Sequence, residues 1–287
     1  MVKVYKSERG AQLLRASYDR LVDAWGVPVE HRELNGRYGT THVLCAGDAG
    51  SPPLLLFHGV GDNSALMWRC NAAALSQHFR LYAVDMIGGS GRSVPGPAYY
   101  QKLDHGIFTG ELLDGLGLER AFTTGVSFGC WPAAMAAIAH PDRVPRVVCI
   151  AGGILSKPAD ILVFLPEALL PTRGNTRRLL RKLAARPEVF LDDPAMWEHW
   201  SLLLRHFNNR SMSYHMMHPF TGEELDALRD RALFLIGQRD PIAYSAEKEQ
   251  ALREKRMNYR IVPDAGHGVN HEQPERVHEE ILSFLLS

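Results

Sequence analysis

Six short, largely apolar runs separated by stretches of helical composition constrain the fold of this chain more than any other feature. The runs cover residues 54–57, 81–84, 121–124, 147–150, 233–236 and 259–262. Runs that are apolar on both faces are typical of parallel strands covered by helices on both sides. Helical composition is found at residues 63–78, 99–117, 128–140, 245–256 and 274–286. The alternation therefore predicts a doubly wound α/β fold.

The first 46 residues add two antiparallel strands to this sheet. Residues 7–26 have apolar side chains at helical spacing behind Ser7, which predicts an N-capped amphipathic helix. Residues 29–34 and 40–46 have strand-like composition and flank the turn-forming pair Asn35-Gly36, which predicts a hairpin. With the six apolar runs, the hairpin gives a mostly parallel sheet of eight strands.

One interval breaks the alternation. The sixth strand ends near Ile150 and the next begins at Leu233, and a connection of this length is uncommon without structure of its own. Leucine, tryptophan and methionine recur in the interval, as expected of short helices with an apolar face. We predict an α/β core of residues 1–152 and 223–287, with a helical cap at residues 153–222 inserted after the sixth strand.

Charge and cysteine usage exclude several kinds of partner. The chain has 32 basic and 32 acidic side chains and no net charge, which argues against a nucleic-acid or membrane-surface partner. Four scattered cysteines form no CxxC pair, so we expect no metal, no cofactor and no disulfide framework. The N-terminal residues lack a secretory signal, which predicts a cytoplasmic protein. The expected partner is a small-molecule substrate. The oligomeric state is left open.

The strongest chemical signal is the sequence Gly125-Val126-Ser127-Phe128-Gly129. This G-x-S-x-G motif follows a predicted strand and precedes an alanine-rich helix, which is the context of a nucleophile elbow. Such an elbow needs small flanking residues because its serine lies in a strained turn. Chance matches to the motif are common and most are simple turns, so the assignment of Ser127 depends on the other strand ends.

Two further strand ends supply an acid and a base. Asp240 follows the run at 233–236, and His267 follows the run at 259–262. With Ser127 they give the chain order nucleophile, acid, base that this arrangement requires. His267 is predicted to accept the serine proton, while Asp240 fixes the imidazole tautomer. Asp264 and His271 are weaker alternatives, because Asp264 precedes His267 too closely in the chain to reach around its ring and His271 lies at the entrance to the final helix.

A glycine-rich loop after the first core strand supplies a candidate oxyanion donor. In the sequence His58-Gly59-Val60-Gly61, the Val60 N–H is the predicted donor, and the Phe128 N–H behind the nucleophile is its partner. We interpret His58 as structural rather than as a metal ligand or base. The glycine-rich segment 85–93 is not a phosphate-binding loop, because it lacks the lysine and the glycine spacing of such loops.

These segments together resemble the ordered signatures of the α/β-hydrolase superfamily. The matching pieces are HGVG, DMIGGSGRS, GVSFG, GQRDPI and DAGHGVNHEQPE, and the pieces RYGTTH and HPDRV are similar to bacterial carboxylesterase-like members. The resemblance covers nearly the whole chain. It implies a serine hydrolase with the triad Ser127, Asp240 and His267, oxyanion donors at Val60 and Phe128, and a cap after the sixth strand.

The predicted reaction is hydrolysis of a carboxylester, lactone or thioester through an acyl-enzyme. The serine nucleophile argues against dehalogenases and epoxide hydrolases, which use a carboxylate. The alternative is a pathway cyclase or lyase, or a ligand receptor, that uses the same fold and pocket with little hydrolysis.

The cap is expected to supply an apolar substrate wall. The side chains expected to line it are Phe164, Leu165, Trp197, Trp200, Met216 and Met217. The cap also carries the basic residues Arg173, Arg177, Arg178, Arg181, Lys182 and Arg186. These form either a solvated helix face, which we favour, or an attractor for an acidic substrate.

Overall fold

The main sheet lies in the part of the chain that the computed structural model describes, residues 2–153 and 164–287. Its eight strands are β1 (Val29–Gly36), β2 (Gly39–Ala46), β3 (Pro53–Phe57), β4 (Arg80–Val84), β5 (Phe122–Val126), β6 (Val147–Ile150), β7 (Ala232–Gly237) and β8 (Asn258–Val262).

The strands are ordered β1-β2-β4-β3-β5-β6-β7-β8 across the sheet. The pairs β1/β2 and β2/β4 are antiparallel, and all later neighbours are parallel. A further two-residue strand, Val94–Pro95, pairs with the start of β2. The predicted doubly wound, mostly parallel sheet of eight strands is confirmed. Connections turn in opposite directions on either side of β3, and ligands of such sheets bind at this reversal, beyond the carboxyl ends of the strands.

Helices cover both faces of the sheet. Those in the described residues are α1 (Glu8–Asp23), α2 (Ser64–Met67), α3 (Ala72–Leu75), α4 (His105–Leu116), α5 (Cys130–Ala139), α6 (Leu165–Leu169), α7 (Arg173–Leu183), α8 (Glu188–Leu191), α9 (Pro194–His206), α10 (Gly222–Leu228), α11 (Ala246–Glu254), α12 (Val269–Glu272) and α13 (Pro274–Leu285). Short 3-10 turns occupy Pro97–Tyr100, Ser127–Gly129 and Asn209–His215.

The apolar pattern of the sequence accounts for how these elements pack. Every residue of β4, β6 and β7 is buried, as expected of central strands covered on both faces. Helix α1 begins behind Ser7, whose side chain accepts the Gly10 N–H, and it buries one face that includes Leu14, Tyr18 and Leu21. The buried face of α1 therefore follows the helical spacing seen in the sequence.

Two local predictions are wrong. The hairpin turn lies at Arg37–Tyr38 rather than at Asn35-Gly36, because Asn35 continues β1 and pairs with Thr40. Gly39 can begin β2 there because its φ of +134° is open to glycine alone among ordinary residues. The single helix expected at residues 63–78 is instead the two short helices α2 and α3, which are separated by residues 68–71.

Helices α6 to α10 all lie in the long interval between β6 and β7. Residues 154–163 of the predicted cap fall outside the described residues, as does the side chain of Leu165. The extent of the cap and its division from the core remain a prediction. In the described part of the chain, no helix is both long and apolar enough to cross a membrane.

Candidate active site

Ser127 lies in a tight turn between β5 and α5. Its backbone has a φ of +55°, a left-handed conformation that non-glycine residues rarely adopt. A Cβ on Gly125 would overlap the carbonyl oxygen of Gly129, and a Cβ on Gly129 would overlap that of Phe57. Because only glycine fits at both positions, the chain can turn sharply enough to raise Ser127 above the end of the sheet.

The side chains of Ser127, His267 and Asp240 form one hydrogen-bonded chain. Ser127 Oγ lies 2.8 Å from His267 Nε2, and His267 Nδ1 lies 2.8 Å from Asp240 Oδ2. The three residues follow β5, β8 and β7, so the parallel register of the sheet brings their loops together at one edge. The sequence-predicted triad is thus assembled from three separate strand ends.

The surroundings of Asp240 fix the tautomer of His267. Asp240 is buried, and its Oδ1 accepts the backbone N–H groups of Ile242 at 2.7 Å and Ala243 at 2.8 Å. These two donors hold the carboxylate so that its Oδ2 faces Nδ1 of the imidazole. When Nδ1–H donates to Oδ2, Nε2 is left as an acceptor for the Ser127 hydroxyl.

The two predicted oxyanion donors belong to chain segments next to Ser127. Gly59, which precedes Val60, lies against Ser127, because a Cβ placed on Gly59 would come within 3.5 Å of the serine Cβ. Phe128 is the second residue of the 3-10 turn Ser127–Gly129, at an amino end where backbone N–H groups lack carbonyl partners within the turn. This geometry is compatible with both N–H groups as oxyanion donors, and that role remains a prediction.

His58 holds the loop that carries Val60. The ring is fully buried, its Nδ1 lies 2.8 Å from the Gly59 carbonyl oxygen, and its Nε2 accepts the Met86 N–H at 2.9 Å. Because one nitrogen accepts a backbone proton, the other carries the proton that it donates to Gly59. Burial lowers the pKa of His58 and keeps the ring neutral. The contacts agree with a structural role for this residue.

Asp85 anchors the glycine-rich segment that follows β4. It is fully buried, and its carboxylate accepts hydrogen bonds from the Tyr18 hydroxyl, His42 Nδ1 and the backbone N–H groups of Ser64 and Arg92. Burial alone would raise the pKa of Asp85, but the His42 hydrogen bond and its charge outweigh burial, and the pKa falls to about 2. The segment is therefore an internal brace beneath the site.

The two alternatives weighed for the triad lie elsewhere. Asp264 is largely exposed and pairs with the guanidinium of Arg239 at 3.0 Å. His271 is buried against the ring of Phe190, 5.1 Å away, and its Nδ1 has no hydrogen-bond partner in the described structure. Neither of them contacts the His267 ring nitrogens, which are occupied by Ser127 and Asp240.

A cavity of about 340 Å³ opens beside Ser127 and His267. The segment between β6 and β7 supplies most of its apolar wall, namely Phe164, Leu179, Leu180, Leu183, Phe190, Trp200, Leu203, Leu204 and Phe207. This volume suits a small, largely apolar ligand. Among the side chains expected to line the cavity, Phe164 and Trp200 do so, whereas Trp197, Met216 and Met217 do not, since Met216 and Met217 point outward and are exposed.

The basic residues of α7 lie on the solvent side. Arg173, Arg177, Arg178 and Arg181 are exposed, and two of these guanidinium groups lie 5.7 and 5.8 Å from the ring of Trp197. Lys182 forms an ion pair with Glu167 at 2.7 Å. These contacts support the solvated helix face rather than an attractor for an acidic substrate.

Three polar residues that line the cavity have no place in the sequence-based predictions: Asp62, Asn209 and Asn270. His271, an alternative candidate for the base, also lines the cavity. Asp62 stands two residues after Val60, so the same glycine-rich loop that suggested an oxyanion donor could have pointed to it. Asn209 and Asn270 gave no local signal, because only tertiary packing brings them to one wall.

Comparison with known proteins agrees with this fold. Residues 54–280 match the model of the Alpha/beta hydrolase family. The carboxylesterase YbfK of Bacillus subtilis is 30% identical to the chain, over 97% of this chain and 95% of that protein. Two solved structures from the same organism superpose well. The naproxen esterase (carboxylesterase NP) has a TM-score of 0.84 at 24% identity, with 97% of this chain and 98% of that chain covered.

The second solved structure is that of carboxylesterase CesB (YbfK), with a TM-score of 0.81 and 26% identity over 96% of this chain and 98% of that chain. A doubly wound sheet that carries a serine, a histidine and an aspartate on three strand ends defines an α/β-hydrolase architecture. The chain belongs to the Alpha/beta hydrolase family.

Proposed function

We propose that the protein is a carboxylic ester hydrolase of the EC 3.1.1 type that acts through an acyl-enzyme on Ser127. The observation that carries this proposal is the unbroken hydrogen-bonded chain from Ser127 through His267 to Asp240, with both bonds at 2.8 Å. Two relatives that align with nearly the full length of the chain are named carboxylesterases, which supports an ester as the substrate.

Each residue of the triad has one task in the proposed reaction. The Ser127 oxygen attacks the ester carbonyl carbon while its proton passes to His267 Nε2. The imidazolium then gives that proton to the leaving alkoxide, so the alcohol departs as a neutral molecule. Water attacks the acyl-enzyme by the same route and releases the acid. Asp240 accepts the Nδ1 hydrogen bond and stabilises the imidazolium throughout.

The negative charge that develops on the carbonyl oxygen needs donors that are already oriented. The backbone N–H groups of Val60 and Phe128 are our candidates, because Val60 lies on the loop against Ser127 and Phe128 is the second residue of the turn that begins at Ser127. The amino end of a helical turn also favours negative charge electrostatically.

The cavity suggests the substrate class. Its wall is formed mostly by leucine and aromatic side chains, so we propose small, largely apolar esters, with the segment 153–222 acting as the cap over Ser127.

A labelling experiment tests the proposal directly. A fluorophosphonate should modify the purified protein at Ser127, and Ser127→Ala should lose the label and lower kcat for 4-nitrophenyl butyrate by about 10³-fold or more. Ser93→Ala serves as a matched control, since this buried serine belongs to the Asp85 brace and not to the cavity. Full ester turnover in folded Ser127→Ala would overturn the assignment.

A further inference from the structure

One carboxyl group interrupts the apolar wall of the cavity. Asp62 lines the cavity and is 2% exposed. Its Oδ1 accepts the N–H of the adjacent Asn63 at 2.7 Å. In the described part of the chain, its Oδ2 accepts no hydrogen bond and no arginine, lysine or histidine forms an ion pair with it. Asp62 therefore presents an unsatisfied acceptor to the space beside Ser127.

A comparison with Asp85 shows how unusual this is within the same fold. Asp85 is equally buried, yet the protein surrounds its carboxylate with donors from Tyr18, His42 and two backbone N–H groups, and its pKa is low. For Asp62, burial and, to a smaller extent, the charge of Asp85 raise the pKa to about 7 against the opposing effect of the Asn63 hydrogen bond. A buried carboxyl that the protein does not satisfy is costly unless water or a ligand in the cavity supplies the partner.

Helix capping does not explain the presence of Asp62. The N-cap of α2 is the next residue, Asn63, whose side chain accepts the Leu66 N–H. The Asn63 amide also contacts His199 at 2.9 Å, so the capping and bracing tasks of this loop fall to Asn63. The Asp62 side chain is free of both tasks and lies on the cavity side of the loop.

The position of Asp62 relates it to the reacting centre. It follows Val60 by two residues on the loop that leaves β3, and the loop is held from behind by the Ser90 hydroxyl, which donates to the Asp62 carbonyl oxygen at 2.8 Å. Asn209, whose Oδ1 lies against Gly61, lines the cavity at the same place. Asp62 and Asn209 thus form a polar end next to the predicted oxyanion donor, and the rest of the wall is mostly leucine and aromatic side chains, apart from Asn270 and His271.

We propose that Asp62 is a substrate-binding residue. Its carboxyl group accepts a hydrogen bond from a hydroxyl or amine group of the ester and disfavours a substrate that has a carboxylate in the same position. The inference rests on the proposed function and narrows its substrate class. An ester with a hydrogen-bond donor at one end and an apolar remainder matches both parts of the cavity, whereas a wholly apolar ester leaves Asp62 buried without a partner.

Binding to the Ser127→Ala protein tests the proposal without turnover. The probes are benzyl butyrates and ethyl phenylacetates with methyl, hydroxymethyl, aminomethyl or carboxylate groups at the meta or para position, so both halves of the ester are sampled. We expect the hydroxymethyl or aminomethyl compound of one series to bind about five-fold tighter than its methyl partner, which is typical of one net hydrogen bond, and the carboxylate to bind most weakly.

Variants of Asp62 in the Ser127→Ala background identify the group responsible. Asp62→Leu should abolish the preference, and Asp62→Asn should abolish the part that favours the amine, because the amide keeps the shape and loses the charge. Asp226→Asn, an exposed carboxylate on α10, should retain the preference. Melting temperatures establish that each variant is folded, and Asp62→Asn carries the test if Asp62→Leu does not fold.

Two results would overturn the proposal: equal affinities across the four substituents, or a preference that survives both Asp62 variants. Failure of the proposed function gives a different result, since the wild-type protein would then neither hydrolyse these esters nor take the fluorophosphonate label, while the affinities would still be measurable.

Discussion

The backbone N–H of His267 donates a hydrogen bond to the carbonyl oxygen of Leu183 at 2.6 Å. Leu183 is the last residue of α7, so this hydrogen bond links the candidate base to the segment that supplies most of the cavity wall. The carboxylate of Glu272 reinforces this link, because it accepts the N–H of Gly266 at 3.0 Å and the N–H of Arg186 at 2.8 Å. The position of the imidazole is therefore coupled to the chain that follows α7.

We expect Glu272→Ala to lower kcat for a short acetyl ester by about ten-fold and to change KM little, because the change misorients His267 without touching the substrate wall. Glu275→Ala, an exposed carboxylate at the start of α13, should behave as wild type. Steady-state kinetics measures both constants. An unaltered kcat in folded Glu272→Ala would show that Glu272 does not position the base.

Replacing each of the two aspartates near His267 with asparagine should have very different effects on kcat. Asp240→Asn should reduce kcat by about 10³-fold or more, because the amide no longer holds the tautomer in which Nε2 accepts the serine proton. Asp264→Asn removes a carboxylate from the same loop as His267, yet it breaks only an exposed ion pair with Arg239, so activity should be kept. The opposite ranking in ester turnover would mean that the acid has been assigned to the wrong residue.

Two tryptophans of α9 offer a matched test of the cavity wall. Trp200 lines the cavity, whereas Trp197 lies under the guanidinium groups of Arg173 and Arg177 and does not. Wild-type kcat/KM should rise about four-fold for each methylene over the first few of a 4-nitrophenyl ester series, since a buried CH₂ contributes about 0.8 kcal/mol. Trp200→Ala should flatten this rise and Trp197→Ala should retain it. Equal profiles for the two variants would place chain-length selection elsewhere.

His199 should make the protein sensitive to acid. Burial lowers its pKa from 6.5 to about 3, and the charge of Arg20 adds to this. Its Nε2 accepts the Asn63 amide N–H and its Nδ1 bonds Ser17 Oγ, so a second ring proton would face a donor. Because the folded pKa lies below the unfolded value, the stability contribution is present above pH 6.5 and is lost as the pH falls towards 3, by up to ~1.4 kcal/mol per pH unit.

The measurement is the melting temperature between pH 7.5 and 5. His199→Gln should show a smaller decrease than wild type, while His218→Gln, which replaces an exposed histidine, should show the wild-type decrease. The same slope in all three proteins would exclude His199 as a source of the acid sensitivity.

The sequence predicted most of the fold because apolar runs report directly on buried strands. Strands β3 to β8 were located to within a few residues, and Ser7 was correctly identified as the cap of α1. The errors arose where tertiary packing overrides local preference. The Asn35-Gly36 pair is a strong turn former, yet β1 extends through it to pair with β2.

The candidate site was predicted as far as its motifs extend. Ser127, Asp240 and His267 each follow a strand, so chain order alone could group them. The wall of the cavity has no such periodic signal. Met216 and Met217 look suitable by composition but lie outside, and Asn209 and Asn270 contribute through contacts between distant segments that composition cannot reveal.

The first residues of the chain pair with the segment that follows α9. The Lys6 N–H donates to the His206 carbonyl oxygen at 2.8 Å, the Asn208 N–H donates to Val4 at 2.9 Å, and Tyr5 forms an antiparallel bridge with Phe207. Contacts across so long a stretch of chain form slowly, because the closure of a large loop must precede them. On the ribosome this segment is synthesised long before its partner, which follows α9. In refolding, the wall that contains Phe207 should accordingly close after the central strands have paired, and recovery of ester turnover should lag behind recovery of the far-ultraviolet circular dichroism signal.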